Sequence, residues 1–226
     1  MSKKYELVVF DWDGTLMDSE ARIVTCMQLA AGDVGISAPT EAAARDIIGL
    51  GMKEAVERLF PGADETSVER LIGAYRVHWL GNQIEAATMF SGARELLSTL
   101  HQSGRLLAVA TGKSRRGLDQ ALDETGLGAF FHTTRCADET FSKPHPQMLE
   151  EILTDLNMPP ASALVIGDTE YDMQMAGNAR VDAVGVSHGV HAPERLLAQG
   201  ALRCFDDLNQ LSGWLQQPSA SVTREA

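Results

Sequence analysis

Seven residues in this chain have the types and spacing to do chemistry together: Asp11, Asp13, Thr111, Gly112, Lys143, Asp168 and Asp172. Asp11 and Asp13 come directly off Tyr5-Glu6-Leu7-Val8-Val9-Phe10, an apolar, β-forming run that reads as a buried strand of a parallel sheet. Two residues apart, they can offer one side chain and the other's backbone carbonyl to a common hard cation, which prefers oxygen ligands. Gly14 then lets the chain turn sharply. The run Leu106–Ala110 delivers Thr111-Gly112, and Ala163–Ile166 ends in Gly167-Asp168-Thr169-Glu170-Tyr171-Asp172. Lys143 sits between Ser142 and Pro144, before a helical stretch. Taken singly, each feature has an ordinary reading. Asp13-Gly14 is a common turn signal, Thr111 and Asp168 could cap helices, and a lone Lys is usually at the surface. Taken together they fall on four strand tips at one edge of one sheet, where ligands of open α/β sheets bind.

The rest of the chain must position those tips. Strand and helix patterns alternate after Phe90: a helix over 93–102, a strand over 106–110, a helix over 117–124, a third strand at 130–133, and, after Lys143-Pro144-His145-Pro146, a helix to about Leu156. A strand at 163–166, another at 182–186, and helices over 192–199 and 206–216 follow. From Asp18 to about Glu85 the pattern is helical throughout, with Ser19 a candidate cap for the first helix. A second helix begins at Pro39-Thr40-Glu41 and stops at Gly49-Leu50-Gly51. A third spans 52–60, and a fourth runs from 64 to about 83 with Val68, Leu71, Ile72, Tyr75 and Trp79 at helical spacing. The expectation is an α/β fold: a Rossmann-like parallel sheet flanked by helices (1–18 and 86–216), a small all-helical cap inserted after the first strand (19–85), and a frayed tail (217–226).

Composition bounds the function. The 226 residues are 44% hydrophobic and 22% charged, ordinary for a soluble globular protein. No stretch approaches the length of a bilayer span and the N-terminus lacks a signal-peptide core, so the chain reads as cytoplasmic with no membrane partner. Three dispersed cysteines read as reduced, packed thiols. A formal charge of −12, with its 19 Lys and Arg scattered, argues against nucleic acid, whose phosphates need a basic face. A small phosphorylated metabolite bound through local cations stays compatible. A monomer or weak homodimer is expected.

The stretch Asp11-Trp12-Asp13-Gly14-Thr15-Leu16-Met17-Asp18 resembles the first signature of the haloacid dehalogenase superfamily of phosphohydrolases, and the four tips resemble its four motifs over nearly the whole chain. The resemblance implies an Asp11 nucleophile that forms an aspartyl-phosphate, a phosphate grip from Thr111 and Gly112, and charge neutralisation by Lys143. It also implies Mg²⁺ held by Asp11, the Asp13 carbonyl and Asp168, with Asp172 orienting a water or Lys143. Four bare acids would repel one another by several kcal/mol, which by itself calls for a cation. Asp13, two residues past the nucleophile, is placed to act as general acid and base. The helical insertion resembles the C1-type cap of the phosphoglycolate phosphatase-like branch.

Asp13 disfavours carbon–halogen cleavage, since the dehalogenating relatives lack that second acid. Lys53 is the one lysine between Ser19 and Phe90, on what reads as a solvated face, which disfavours the phosphonate-cleaving chemistry of relatives with a cap lysine. A sugar-phosphate mutase of the same superfamily stays open. Outside it, Thr111-Gly112-Lys113-Ser114 lacks a P-loop's first glycine, Leu107 standing there, while a phospho-accepting receiver module shares the acids, Thr and Lys-Pro but carries its acceptor on a middle strand. Asp11→Asn is expected to abolish phosphate release while leaving the far-ultraviolet circular dichroism intact; a variant retaining more than a few per cent of the wild-type rate shows that Asp11 is not the nucleophile.

Overall fold

Why the carboxylates meet follows from the order of the strands. In the computed structural model, which describes residues 5–81 and 87–217, β1 (Leu7–Phe10) lies between β4 (Leu106–Thr111) and β6 (Ala163–Gly167). The sheet continues outward to β5 (Thr133–Cys136) on one side, and to β7 (Asp182–Val186) and β8 (Cys204–Phe205) on the other. Every pairing is parallel: Leu7 faces Leu106 and Ala163, Phe10 faces Val109 and Ile166. All C-terminal strand ends therefore point one way, and the residues just past β1, β4 and β6 become neighbours.

Residues along each central strand divide strictly by parity, as the two-residue period of a pleated sheet requires. Val8, Phe10, Leu107, Val109, Leu164 and Ile166 enter one buried cluster, and α5 (Ala93–Gln102), α6 (Arg115–Thr125) and α10 (Leu208–Gln216) cover it with Leu96, Leu100, Leu118 and Leu211. Leu7, Val9, Ala108, Ala110 and Val165 enter the opposite cluster, beneath α7 (Gln147–Asp155), α8 (Glu170–Asn178) and α9 (Pro193–Ala198). Trp12 continues the parity of Val8 and Phe10 into the first cluster, with the acids Asp11 and Asp13 on either side of it.

A third cluster is separate from both. It joins α1 (Glu20–Val34), α3 (Met52–Leu59) and α4 (Glu65–Leu80) through Ile23, Met27, Val56, Leu71 and Tyr75, with Ile47 and Ile48 entering from the turn after α2 (Glu41–Asp46). Ile23 and Met27 in α1, and Leu71 and Tyr75 in α4, stand at i and i+4 and so share one face of their helix. Two short antiparallel strands, β2 (Met17–Asp18) and β3 (Thr88–Met89), pair where the chain leaves and re-enters the sheet domain.

Several boundaries differ from the sequence expectation, each for a local reason. The third strand lies at 133–136, not 130–133, because Gly128–Phe130 form a 3₁₀ turn that turns Phe130 and Phe131 toward the first cluster. The second helix stops at Asp46, and Gly49, at φ +98°, turns the following loop. Ser114 caps α6 by accepting from the Gly117 N–H, so that helix begins at Arg115 and Thr111 is not its cap. Ser19 precedes α1 but makes no side-chain cap; its hydroxyl is engaged elsewhere. β2, β3 and β8, each two residues long, had no reading in the sequence, and α8 was indicated only by Asp168 as a possible cap. Residues 82–86, where the cap boundary at 85/86 was placed, and the tail from 218 onward lie outside the described residues.

One buried cation ties the sheet's lower edge together. The Arg105 guanidinium, 9% exposed, donates to the Tyr5 carbonyl at 3.1 Å, the Leu215 carbonyl at 2.7 Å and Ser103 Oγ at 2.8 Å. It thereby joins the entry to β1, the α5–β4 turn and the last helix. Arg105→Met, which keeps the apolar stem, is expected to lower unfolding free energy by about 1–3 kcal/mol in a denaturant titration. Chemistry at the strand tips should be unaffected, because Arg105 lies at the opposite ends of the strands.

Candidate active site

Asp11 is the first residue past β1, where its N–H still donates to the Ile166 carbonyl at 2.9 Å. Its side chain is buried and meets the most enclosed cation of the structure. Lys143 Nζ donates to Asp11 Oδ1 at 2.6 Å and to Asp172 Oδ1 at 2.7 Å, with no side-chain surface exposed on Lys143 or Asp172. Asp172 is fixed from behind. Its Oδ2 accepts from the Thr169 N–H at 3.1 Å and from Thr169 Oγ1 at 2.6 Å, a reciprocal cap that starts α8. Thr169, not Asp168, is thus the helix cap.

Asp168 has its own clamps. Thr15 Oγ1 donates to Oδ1 at 2.8 Å and the Val190 N–H to Oδ2 at 2.9 Å. The backbone packs so close around this carboxylate that only glycine fits on two sides. A Cβ on Gly14 would lie 2.1 Å from Asp168 Oδ2, and one on Gly189 would lie 2.3 Å from it. Gly14 also sits at φ +83°, in the left-handed region that favours glycine.

Asp13 belongs to a different part of the site. Its Oδ1 accepts from Ser19 Oγ at 2.5 Å and pairs with Lys113 Nζ at 3.0 Å. The Lys113 ammonium also stands 4.4 Å from the ring centre of Trp79 in α4. Thr111 is fully buried at the end of β4, and its Oγ1 accepts from the Lys113 N–H at 3.2 Å. Gly112 runs against the loop that follows α2: a Cβ there would lie 2.4 Å from the Leu50 carbonyl oxygen.

The electrostatics are those of charge crowded out of water. Burial raises the Asp11 carboxyl to about 7, Lys143 pulling it down while Asp172 and Asp13 push it up. Burial, with Asp11 and Asp172 adding repulsion, raises Asp168 well above the usual carboxylate range. Burial opposes the charge on Lys143 too, but Asp11 and Asp172 outweigh it and hold the ammonium protonated.

Do these residues fit a divalent cation? Asp11 Oδ2 is a buried carboxylate oxygen without a hydrogen-bond partner, a costly arrangement unless something positive meets it. Asp11, Asp168 and Asp172 each present a carboxylate oxygen, all within 4.8 Å of one another, an all-oxygen donor set suited to a hard ion. The fit holds. Asp13's side chain is not part of this set, so its expected share in the metal rests on its backbone carbonyl.

Of the seven residues singled out in the sequence, Asp11, Lys143, Asp168 and Asp172 are in one buried cluster, with Asp13, Thr111 and Gly112 around the same cavity. Sequence reasoning missed Ser19, Thr15, Lys113 and Gly189. Thr15 and Lys113 each lie within four residues of an acid or the Thr that was singled out, which was the available signal. Gly189 had none.

A family model described as haloacid dehalogenase-like hydrolase matches residues 8–186. Among curated relatives, a "Probable phosphatase IndB" from Dickeya dadantii is 31% identical over 212 residues, covering 92% of each chain. A phosphoglycolate phosphatase from Rhodospirillum rubrum is 29% identical, covering 96% of this chain and 93% of its own. The solved structure of a hydrolase from Pseudomonas syringae superposes with a TM-score of 0.82 at 25% identity, covering 92% of this chain and 98% of that one.

Lys143→Met leaves Asp11 and Asp172 buried without their counter-charge, and is expected to lower unfolding free energy by about 3–5 kcal/mol at neutral pH without divalent ions. The sign with pH follows from Asp11, whose folded pKa is already raised to about 7 and rises further without the ammonium. A carboxyl raised in the folded state supports folding below its unfolded value and loses that support as pH climbs through the folded one. Denaturant titrations at about pH 5.5 and about pH 8 should therefore show a wider wild-type-to-variant gap at the higher pH.

Proposed function

Because this chain belongs to the haloacid dehalogenase-like hydrolase family, we propose that it is a Mg²⁺-dependent phosphatase that cleaves a small phosphate monoester through an aspartyl-phosphate on Asp11. The observation that carries the reading is the Asp11 side chain: buried at a strand tip, with one oxygen against the Lys143 ammonium and the other unpartnered. A structural carboxylate would have both oxygens satisfied.

Asp11 attacks phosphorus and takes the phosphoryl group, while the P–O bond to the alcohol breaks. The departing alkoxide needs a proton, which we assign to Asp13. Both partners of the Asp13 side chain are on Oδ1, held by Ser19 and Lys113, so the proton is carried on Oδ2. Asp13 then accepts a proton from the water that hydrolyses the aspartyl-phosphate, restoring both carboxyls. Lys143 holds Asp11 in place through both steps and offsets charge on the phosphate. Thr111 Oγ1 and the backbone N–H groups after β4 hold phosphate oxygens. Asp11, Asp168 and the Asp13 carbonyl would hold Mg²⁺, with Asp172 anchoring Lys143 beside them; the ion supplies positive charge that neutralises the carboxylates and the phosphoryl oxygens.

We further propose that residues 19–85, carrying α1 to α4, are a cap that closes this site from water, with residues 1–18 and 86–216 as the hydrolytic core. Support comes from the Ile47–Gly51 loop. It packs on Gly112, and the Gly51 N–H donates to Ser142 Oγ at 2.7 Å. Among the described residues no helix is long and apolar enough to cross a membrane.

The test is steady-state phosphate release from alkyl phosphates with and without Mg²⁺, in wild type and Asp13→Asn. Turnover that needs the metal is expected. The variant should lose on the order of 10²–10⁴-fold on alkyl esters, and much less on an aryl ester whose leaving group needs no proton, wherever formation of the phosphoenzyme limits the rate. Where its breakdown limits, the variant should accumulate phosphoenzyme. Equal small losses on both ester types with no trapped intermediate would remove Asp13 from proton transfer, and isomerised sugar phosphate without net release would make the protein a mutase.

A further inference from the structure

The cavity over Asp11 and Asp13 has a volume of about 350 Å³. That is within the range of pockets that enclose whole organic ligands, and far more than a phosphoryl group with two carbons occupies. One end is defined by Asp11, Asp13, Thr111 and Gly112. The wall opposite is built by the four-helix segment from Met27, Ile47, Leu50, Met52, Tyr75 and Trp79.

The chemistry of that wall is nearly uniform. Among the described residues lining the cavity, the charged side chains besides Asp11 and Asp13 are Lys113, Arg76, Arg116 and Asp138. Arg76, Arg116 and Asp138 are exposed to solvent, where water already satisfies their charges. Lys113 is already paired with Asp13 and seated on Trp79. Trp79 is itself held firmly. Arg22 Nη2 donates to its carbonyl at 2.6 Å, the Arg22 guanidinium lies 4.6 Å from its ring centre, and its ring stacks on that of Tyr75, with centroids 6.0 Å apart and planes inclined by 13°. Among the described residues, the lining beyond the reacting end that is not exposed to solvent therefore offers two nearly parallel aromatic rings, aliphatic and thioether side chains, the Ser114 hydroxyl, and no cation besides Lys113. A second anionic group or a polyhydroxylated carbon chain placed there would give up its water for few partners. A hydrocarbon or aromatic body would release water from both surfaces.

We infer that the substrate is a phosphate monoester whose alcohol carries an apolar body about the size of one aromatic ring, with Trp79 as its main specificity-determining residue. This rests on the phosphatase reading above and narrows it, setting the chain apart from relatives named for a two-carbon carboxylated substrate.

The test compares four esters of primary alcohols, so that leaving-group chemistry is alike: ethyl phosphate, 2-phenylethyl phosphate, glycerol 3-phosphate and phosphoglycolate, each with Mg²⁺. We expect kcat/KM for 2-phenylethyl phosphate to exceed each of the others by at least about tenfold, the scale on which apolar pockets discriminate. Trp79→Ala should shrink the 2-phenylethyl to ethyl ratio chiefly through KM. Met52→Gln, on the same wall, should shrink it too, and stands in if the tryptophan variant fails to fold. Turnover that favours phosphoglycolate or glycerol 3-phosphate overturns the inference and leaves the phosphatase reading standing. Ratios unmoved in both variants overturn the role of this wall. Absence of phosphate release from all four esters overturns the phosphatase reading and the inference with it.

Discussion

A protonated lysine sealed between two carboxylates organises this molecule. Lys143 reaches Asp11 and Asp172 at 2.6 and 2.7 Å in a place with no solvent access, and Asp168 adds a third acid to the same cluster. Placing these charges out of water costs several kcal/mol per ion unless their mutual geometry recovers it. One ammonium against three carboxylates leaves the cluster short of positive charge, and the pressure appears as the raised Asp11 and Asp168 carboxyls and the unpartnered Asp11 oxygen. The parallel sheet, the α8 cap and the glycine contacts around Asp168 all hold groups together that would otherwise separate.

That requirement explains which parts of the fold could be read from the chain. β1, β4 and β6 are central and buried on both faces, so each reads as an apolar run, and chemistry-bearing residues stand at the ends of these runs where the sequence marks them. The helices α1 to α4 declare themselves by spacing: Ile23 and Met27, then Val68, Leu71 and Tyr75. What could not be read depends on distance in space. Ser19 has the type of a cap residue, and its hydroxyl went to Asp13 instead. β5 was set three residues early because Phe130 and Phe131 look like strand residues, yet reach the core from a 3₁₀ turn and the residue after it. Gly189 looks like any loop glycine until Asp168 is placed against it.

Net charge and local charge oppose each other here. A chain with a formal charge of −12 repels anions at long range, and salt shortens that reach to about 8 Å under physiological conditions. Lys113 lines the cavity beside Asp13, Lys143 is sealed against Asp11, and the lining residues Arg76 and Arg116 are exposed to solvent. An anion is thus attracted only after it has come within a few ångströms, which favours discrimination over speed of encounter.

The contact between the helical segment and the sheet domain reaches the lysine itself. Ser142 Oγ accepts from the Gly51 N–H, and Lys143 is the next residue, so one short stretch bonds the loop above the site and supplies the ammonium within it. A second set of bonds joins the end of α2, just before that loop, to the start of α8: the Tyr171 hydroxyl donates to the Asp46 carbonyl at 2.6 Å, and Arg195 pairs with both Asp46 and Glu170. Asp172 stands one residue past Tyr171 and holds the other side of Lys143. Both supports of the ammonium are therefore adjacent in sequence to residues that grip the 46–51 stretch. A displacement of that stretch pulls on residues adjacent to both supports of Lys143, which lie in a close-packed interior that transmits strain. Enclosure of the cavity and the alignment of Asp11 are then two results of one set of contacts.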